Sequence, residues 1–298
     1  MLSNKLKNNL HLHFLVFIAG FTAILGELVS ISAIHLVWYR MVIAGLLMFL
    51  YLKIAKINIK VSKLEILKFF IAGIIIAIHW ITFFASIKES NVSIALAMFS
   101  TGAFFASIIE PIFYRRKINR FEILFGLMVS IGVYIILDSE IKYLLGILLG
   151  ISSAFCSSLF SVINGRLVEK HEASVISFYE FIGGVLFITG FLIFSKNGFS
   201  QEFFQLVFND WLYILILASV CTAYAFIASV HIMKYISPFT VVLTYNLEPV
   251  YGIILAIIIF GSDEIMSPNF YYGAFLILFT VLVDGLMKNK SKIFKKTN

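Results

Sequence analysis

The chain has 298 residues, of which 61% are hydrophobic and only 13% charged, about half the charged share usual in soluble domains. A water-soluble domain cannot cover so large an apolar excess, so the expected solvent is lipid. The net charge of +7 sits in short basic clusters at the ends of apolar runs, which reads as a topology signal and excludes a nucleic-acid face.

Ten apolar runs long enough to cross a hydrocarbon core of roughly 30 Å follow one another along the chain. They cover residues 12–33, 35–54, 67–87, 92–114, 121–138, 143–164, 175–195, 211–233, 238–260 and 270–287. Lys5 and Lys7 before the first run imitate a secretory leader. That run is too long for one and is followed at once by a second, so it is expected to be retained. With the N-terminus in the cytoplasm, 19 Lys and Arg residues fall inside and 3 outside (Lys88, Lys142 and Lys196), with Arg40 inside a span. The positive-inside rule then predicts two cytoplasmic termini in a multi-pass protein of the plasma membrane, or of the inner membrane in a Gram-negative cell. No connection is long enough for a soluble domain. Cys156 and Cys221 both lie in apolar runs and read as buried thiols.

The two halves echo each other. Trp38 to Gly45 resembles Phe178 to Gly184 at an offset of 140, and at an offset of 147 Gly102 meets Pro249, Arg116-Lys117 meets Asp263-Glu264, and Gly126 meets Gly273. Span one therefore matches span six, and so on to five against ten. Because five is odd, the second copy starts from the opposite side of the membrane, and the repeats are inverted, as in many secondary transporters.

Several stretches, His79-Trp80 through Lys88, Phe99-Ser100-Thr101-Gly102 through Glu110-Pro111, Gly126 to Leu137, and Tyr245-Asn246-Leu247-Glu248-Pro249, resemble the drug/metabolite transporter superfamily and, within it, the EamA-type permeases. The resemblance spans roughly residues 12–287. It implies an all-α integral membrane protein with ten transmembrane helices, arranged as five-helix repeats over 12–138 and 143–287 and followed by a basic tail, 288–298. It also implies export of metabolites such as amino acids without an ATPase subunit. Arg115-Arg116-Lys117 stands where such proteins often carry an acid after a glycine, whereas Gly261-Ser262-Asp263-Glu264 keeps the acid.

Ionisable side chains inside spans are costly and so are functional candidates. Glu248 lies ten residues into its predicted span, about 15 Å along the axis and near the bilayer midplane. Pro249 beside it is expected to kink the helix and free the carbonyl of Tyr245, with Asn246 adding an amide. Glu27 and Arg40 lie at similar depths on two adjacent spans and could pair, as an outer gate or simply to neutralise each other. Glu180 is the pseudo-equivalent of Arg40 and a candidate for an inner gate. His79 and Trp80, near the middle of span three, suggest an aromatic box or ordinary packing. Ser100 and Thr101 complete the substrate-cavity candidates.

The expected partners are a small-molecule substrate and the lipid bilayer, in a monomer or homodimer with no nucleic acid. No metal or cofactor motif is present. A membrane enzyme is the rival class, but there is no His-Glu-x-x-His and no Gly-x-Ser-x-Gly. A channel is a third, although the charges form no ring. Without a nucleotide-binding loop, energy is expected from a solute or proton gradient, with Glu248 and Glu27 as candidate proton carriers.

Overall fold

The computed structural model describes residues 4–115, 117, 120–196, 198–232, 244–245 and 247–294. In them the chain forms α1 (Asn4–Leu28), α2 (Ala33–Ile54), α3 (Lys63–Glu89), α4 (Val92–Phe99), α5 (Gly102–Tyr114), α6 (Arg120–Ser139), α7 (Leu144–Leu167), α8 (Ala173–Phe194), α9 (Gln201–Phe204), α10 (Phe208–Ala218), a π-helical turn (Ser219–Tyr224), α11 (Ala225–Ile232), α12 (Glu248–Phe260) and α13 (Pro268–Phe294). Among the described residues there is no strand. That is expected in lipid, where each backbone N–H and C=O must find its partner within the protein.

Eight helical stretches among the described residues are long and apolar enough to cross a bilayer, so the chain is a multi-pass membrane protein. The predicted span 92–114 is two helices, α4 and α5, with Ser100 and Thr101 at the break. The predicted span 238–260 falls partly on residues outside the described ones and is represented by α12. The predicted span 270–287 lies within α13, whose apolar part, Pro268–Val283, is shorter. Large apolar side chains such as Leu46, Phe194, Ile258 and Phe275 are exposed, which is stable only where lipid tails surround the bundle.

Local chemistry sets the helix starts. The Ser62 hydroxyl accepts from the Glu65 N–H and the Asn91 side chain from the Ile94 N–H at 2.9 Å, each satisfying a first-turn donor without an intrahelical acceptor. Arg115, at φ 50°, closes α5 in the left-handed conformation.

Contacts sort the connections onto two ends of the bundle. At one end, Tyr179 Oη donates to the Ile59 carbonyl, His171 Nε2 lies 3.2 Å from Glu65 Oε2, and Arg166 donates to the Phe113 carbonyl. This is the basic end. At the other, Asp210 accepts from both the N–H and the hydroxyl of Ser30, and a cleft is walled by Glu27, Ser90, Asn91, Lys142 and Asp263. Hence α1 runs away from the basic end, whereas α7 runs towards it.

The packing is reciprocal between the halves. Helix α3 packs on α7 and α8, while α10 and the π turn pack on α1 and α2. Helices α4 and α5 pack on α7, and α12 packs on α1. The pair α6 and α13 crosses at Gly132 and Gly273, where a Cβ on either glycine would lie 2.9 or 2.7 Å from the other's carbonyl oxygen. Only hydrogen fits at that crossing, and interhelical packing in lipid depends on such close approach.

Candidate functional site

Arg40 is the centre of the interior polar cluster. It is 4% exposed, is the eighth of the 22 residues of α2, and directs its Nε to Thr222 Oγ1 at 2.8 Å. Thr222 Oγ1, in the π turn, itself donates to the Leu217 carbonyl five residues back in α10, so a local widening of the helix presents the acceptor. The guanidinium lies 4.1 Å from the Trp80 ring centroid and 5.5 Å from that of Phe84, a cation–π arrangement that strengthens where water is absent. Glu248 is near enough for its charge to attract that of Arg40. Among the described residues the two make no ion pair, and only Nε of the guanidinium is hydrogen-bonded.

Glu248 is the first residue of α12 and Pro249 the second. The expected kink inside a continuous helix is therefore corrected to a helix start. Proline belongs there, because the first-turn N–H groups have no intrahelical acceptor to lose. The run that precedes it, with Asn246, lies outside the described residues. Helix α1 backs directly onto this first turn: a Cβ on Gly20 would lie 3.1 Å from the Glu248 carbonyl oxygen and 3.0 Å from the Gly252 nitrogen. Tyr245 is half-buried and shares a 2.7 Å hydrogen bond between its hydroxyl and that of Ser229; it also lies within the field of Glu248.

His79 and Trp80 are neighbours in sequence that face different partners, because consecutive helical residues point about 100° apart. Trp80 faces Arg40. His79 faces α7, with Nδ1 at 2.8 Å from Ser153 Oγ and 3.0 Å from its carbonyl oxygen, and it stacks on Phe99 with ring centroids 5.5 Å apart. Phe83 and Phe160 complete this aromatic layer. Ser100 and Thr101 hydrogen-bond back to the carbonyls of Leu96 and Met98, so both hydroxyls serve to end α4. Their break and the start of α12 match at the offset of 147.

Glu27 is not joined to Arg40. Its carboxylate lies 3.6 Å from Lys88 Nζ, and the same ammonium donates to the carbonyls of Glu27 and Val29. This lysine ends α3 and holds the turn between α1 and α2. Glu27 borders the cleft of about 400 Å³ at that end of the bundle. Glu180 is separate again. It is 1% exposed on α8, with Ser177 Oγ at 3.4 Å from Oε2 and the Asn164 side chain against its carboxyl. Cys156 and Cys221 are free thiols. Among the described residues no group of His, Cys, Asp or Glu could hold a metal ion.

The candidates thus divide into an interior cluster (Arg40, Trp80, Glu248, with His79 and Tyr245 beside it), a pair at one end (Glu27 with Lys88) and an isolated buried acid (Glu180). A family model described as the EamA-like transporter family matches the chain twice, over residues 9–138 and 144–283. The chain belongs to this EamA-like family. No curated protein matches its sequence. It is similar to a protein of known crystal structure at 15% sequence identity, with a TM-score of 0.63, over 93% of this chain and 96% of that one, a likeness that shows the fold alone. In this EamA-family chain the boundary between the matched stretches falls between α6 and α7. The interior cluster draws Arg40 and Trp80 from the first stretch and Thr222 and Glu248 from the second.

Sequence reasoning gave no role to Thr222 or Lys88 and noted Glu264 only within the stretch that keeps an acid after Gly261. The signal for Thr222 was a patch of small polar residues, Ser219, Cys221 and Thr222, within an apolar run. For Lys88 it was one of only three cations, with Lys142 and Lys196, assigned to the poorly charged end of the bundle.

Proposed function

We propose that this protein is a secondary transporter that moves small organic metabolites such as amino acids, in the export direction, by alternating access. Ten spans form two inverted five-helix repeats, residues 12–138 and 143–287, with both termini and the tail 288–298 in the cytoplasm of a plasma membrane. It works as a monomer or homodimer without an ATPase subunit, on a solute or proton gradient.

The observation that carries this reading is the interior cluster. Arg40 and Trp80 come from one half and Thr222 and Glu248 from the other, so a rocking motion of the halves changes the cluster's shape. A cation with open donors, an acid and flat aromatic faces together suit a solute with both polar and apolar parts. Helices that begin or end inside the membrane, α4 at Phe99 and α12 at Glu248, leave polar backbone beside it, as in transporter sites.

Counterflow in proteoliposomes tests the function. Preloading with the transported solute is expected to accelerate uptake of its labelled form, with saturation. Chemical turnover without movement would make the protein an enzyme, and unsaturable flux a channel. Orientation is tested separately: reporters fused after Asn58, after Ser139 and at the C-terminus are expected to read inside, outside and inside. A C-terminus on the outside overturns the assigned topology.

A further inference from the structure

Glu180 is a buried acid outside the interior cluster. Its side chain is 1% exposed, and Oε1 is fully buried with no hydrogen-bond partner. The polar group set against it is the Asn164 side chain on α7, whose Oδ1 is likewise buried and without a donor. Two acceptors starved of a donor at one seam require an explanation, because buried polar groups in native folds are almost always paired.

Among the described residues no cation supplies it. On α2, Arg40 is engaged with Thr222 and Trp80, and Lys53 lies over the ring of Phe49. On α3, Lys68 and Glu65 pair with each other, Glu65 also meets His171, and His79 is held by Ser153. On α7, Arg166 is bound to the Phe113 carbonyl. An ionised Glu180 would therefore stand in this slot without a counter-charge, the most costly state for a buried group. Turning the Asn164 amide towards an ionised carboxylate supplies a donor but no counter-charge.

We propose that the place where Asn164 of α7 meets Glu180 of α8 is a proton-binding site, in which Glu180 carries a proton on Oε1 and donates it to Asn164 Oδ1. One proton then satisfies both oxygens and removes the charge, while Ser177 remains the donor to Oε2. The site is distinct from Glu248. It lies seven residues into α8, counted from the basic end of the bundle. Release of the proton requires the ionised carboxylate to reach water, so it must accompany an opening of α7 and α8 at that end. This coupling role rests on the transporter reading; the proton site itself does not.

Infrared difference spectra of the purified full-length protein in lipid nanodiscs, recorded across a pH titration, test the proton directly. At neutral pH a protonated-carboxyl C=O band is expected that is lost in Glu180→Gln. In Asn164→Leu the same band should move to higher wavenumber, because the acid has lost its acceptor. Identical carboxyl bands in wild type and Glu180→Gln overturn the proposal, leaving Glu180 ionised. Should Glu180→Gln fail to insert, Asn164→Leu decides: a shifted band supports the site, and an unmoved one overturns it. None of these readings depends on transport, so failure of the transporter assignment would appear only in counterflow.

Discussion

Replacing Glu248 by glutamine is expected to leave the protein in the membrane and to lower its solute exchange at least about tenfold, equivalent to roughly 1.4 kcal/mol of lost coupling. The substitution keeps the shape and much of the hydrogen bonding at the start of α12 and removes only the charge. That charge is the one facing Arg40, which is buried at 4% exposure and has no ion-pair partner among the described residues. A structural role predicts something different. Leaving a buried guanidinium without its counter-charge costs up to about 3–5 kcal/mol, so a purely neutralising acid should show its loss as poor folding. The double variant Arg40→Gln, Glu248→Gln separates the two. It restores neutrality, so it should recover any lost thermal stability while exchange remains low. Normal exchange and unchanged pH dependence in Glu248→Gln, at matched protein content in liposomes, would show the acid to be structural.

How much of this was legible in the sequence depends on what each property obeys. Span positions follow from apolar run length, and several described helices sit within a few residues of the predicted runs: α8 is Ala173–Phe194 where 175–195 was expected, whereas α1 is Asn4–Leu28 where 12–33 was expected. Depth along an axis is likewise a count of residues, which is why Glu27 and Arg40 looked like partners. Pairing depends on rotation about the axis and on third helices, and neither is written locally. Arg40 turns towards Trp80 and Thr222, and Glu27 meets Lys88, 61 residues further on. Pro249 was ambiguous for a related reason. Proline disfavours the interior of a helix and favours its first turn equally in any sequence, and only the start of α12 at Glu248 separates the two. The hydroxyls of Ser100 and Thr101 looked available to a solute. Each had a competing acceptor one turn back, which sequence pattern does not rank.

Glu264→Ala is expected to destabilise the protein by about 3 kcal/mol, the sum of two charge-assisted hydrogen bonds of about 1.5 kcal/mol each. Its two oxygens accept the N–H groups of Val92 and Ser93, both at 2.9 Å, although 172 and 171 residues separate donor from acceptor. These are orphan donors at the N-terminus of α4, where a carboxylate also complements the positive end of the helix dipole. Water cannot stand in easily, because Glu264 is 3% exposed and the residues Val92 to Met98 are all buried. Repulsion from Glu27, which feels the Glu264 charge, offsets a part of the gain, though Glu27 is paired with Lys88. Glu264→Gln should fall between wild type and Ala, since its one remaining oxygen can serve one N–H while its amide opposes the other. Glu264→Lys introduces the residue type that Lys117 holds at the matching place in the first half. It should be the worst of the three, setting a cation against the helix start. Thermal unfolding of the detergent-solubilised protein orders the series, and a wild-type midpoint in Glu264→Ala would mean that α4 does not depend on this cap.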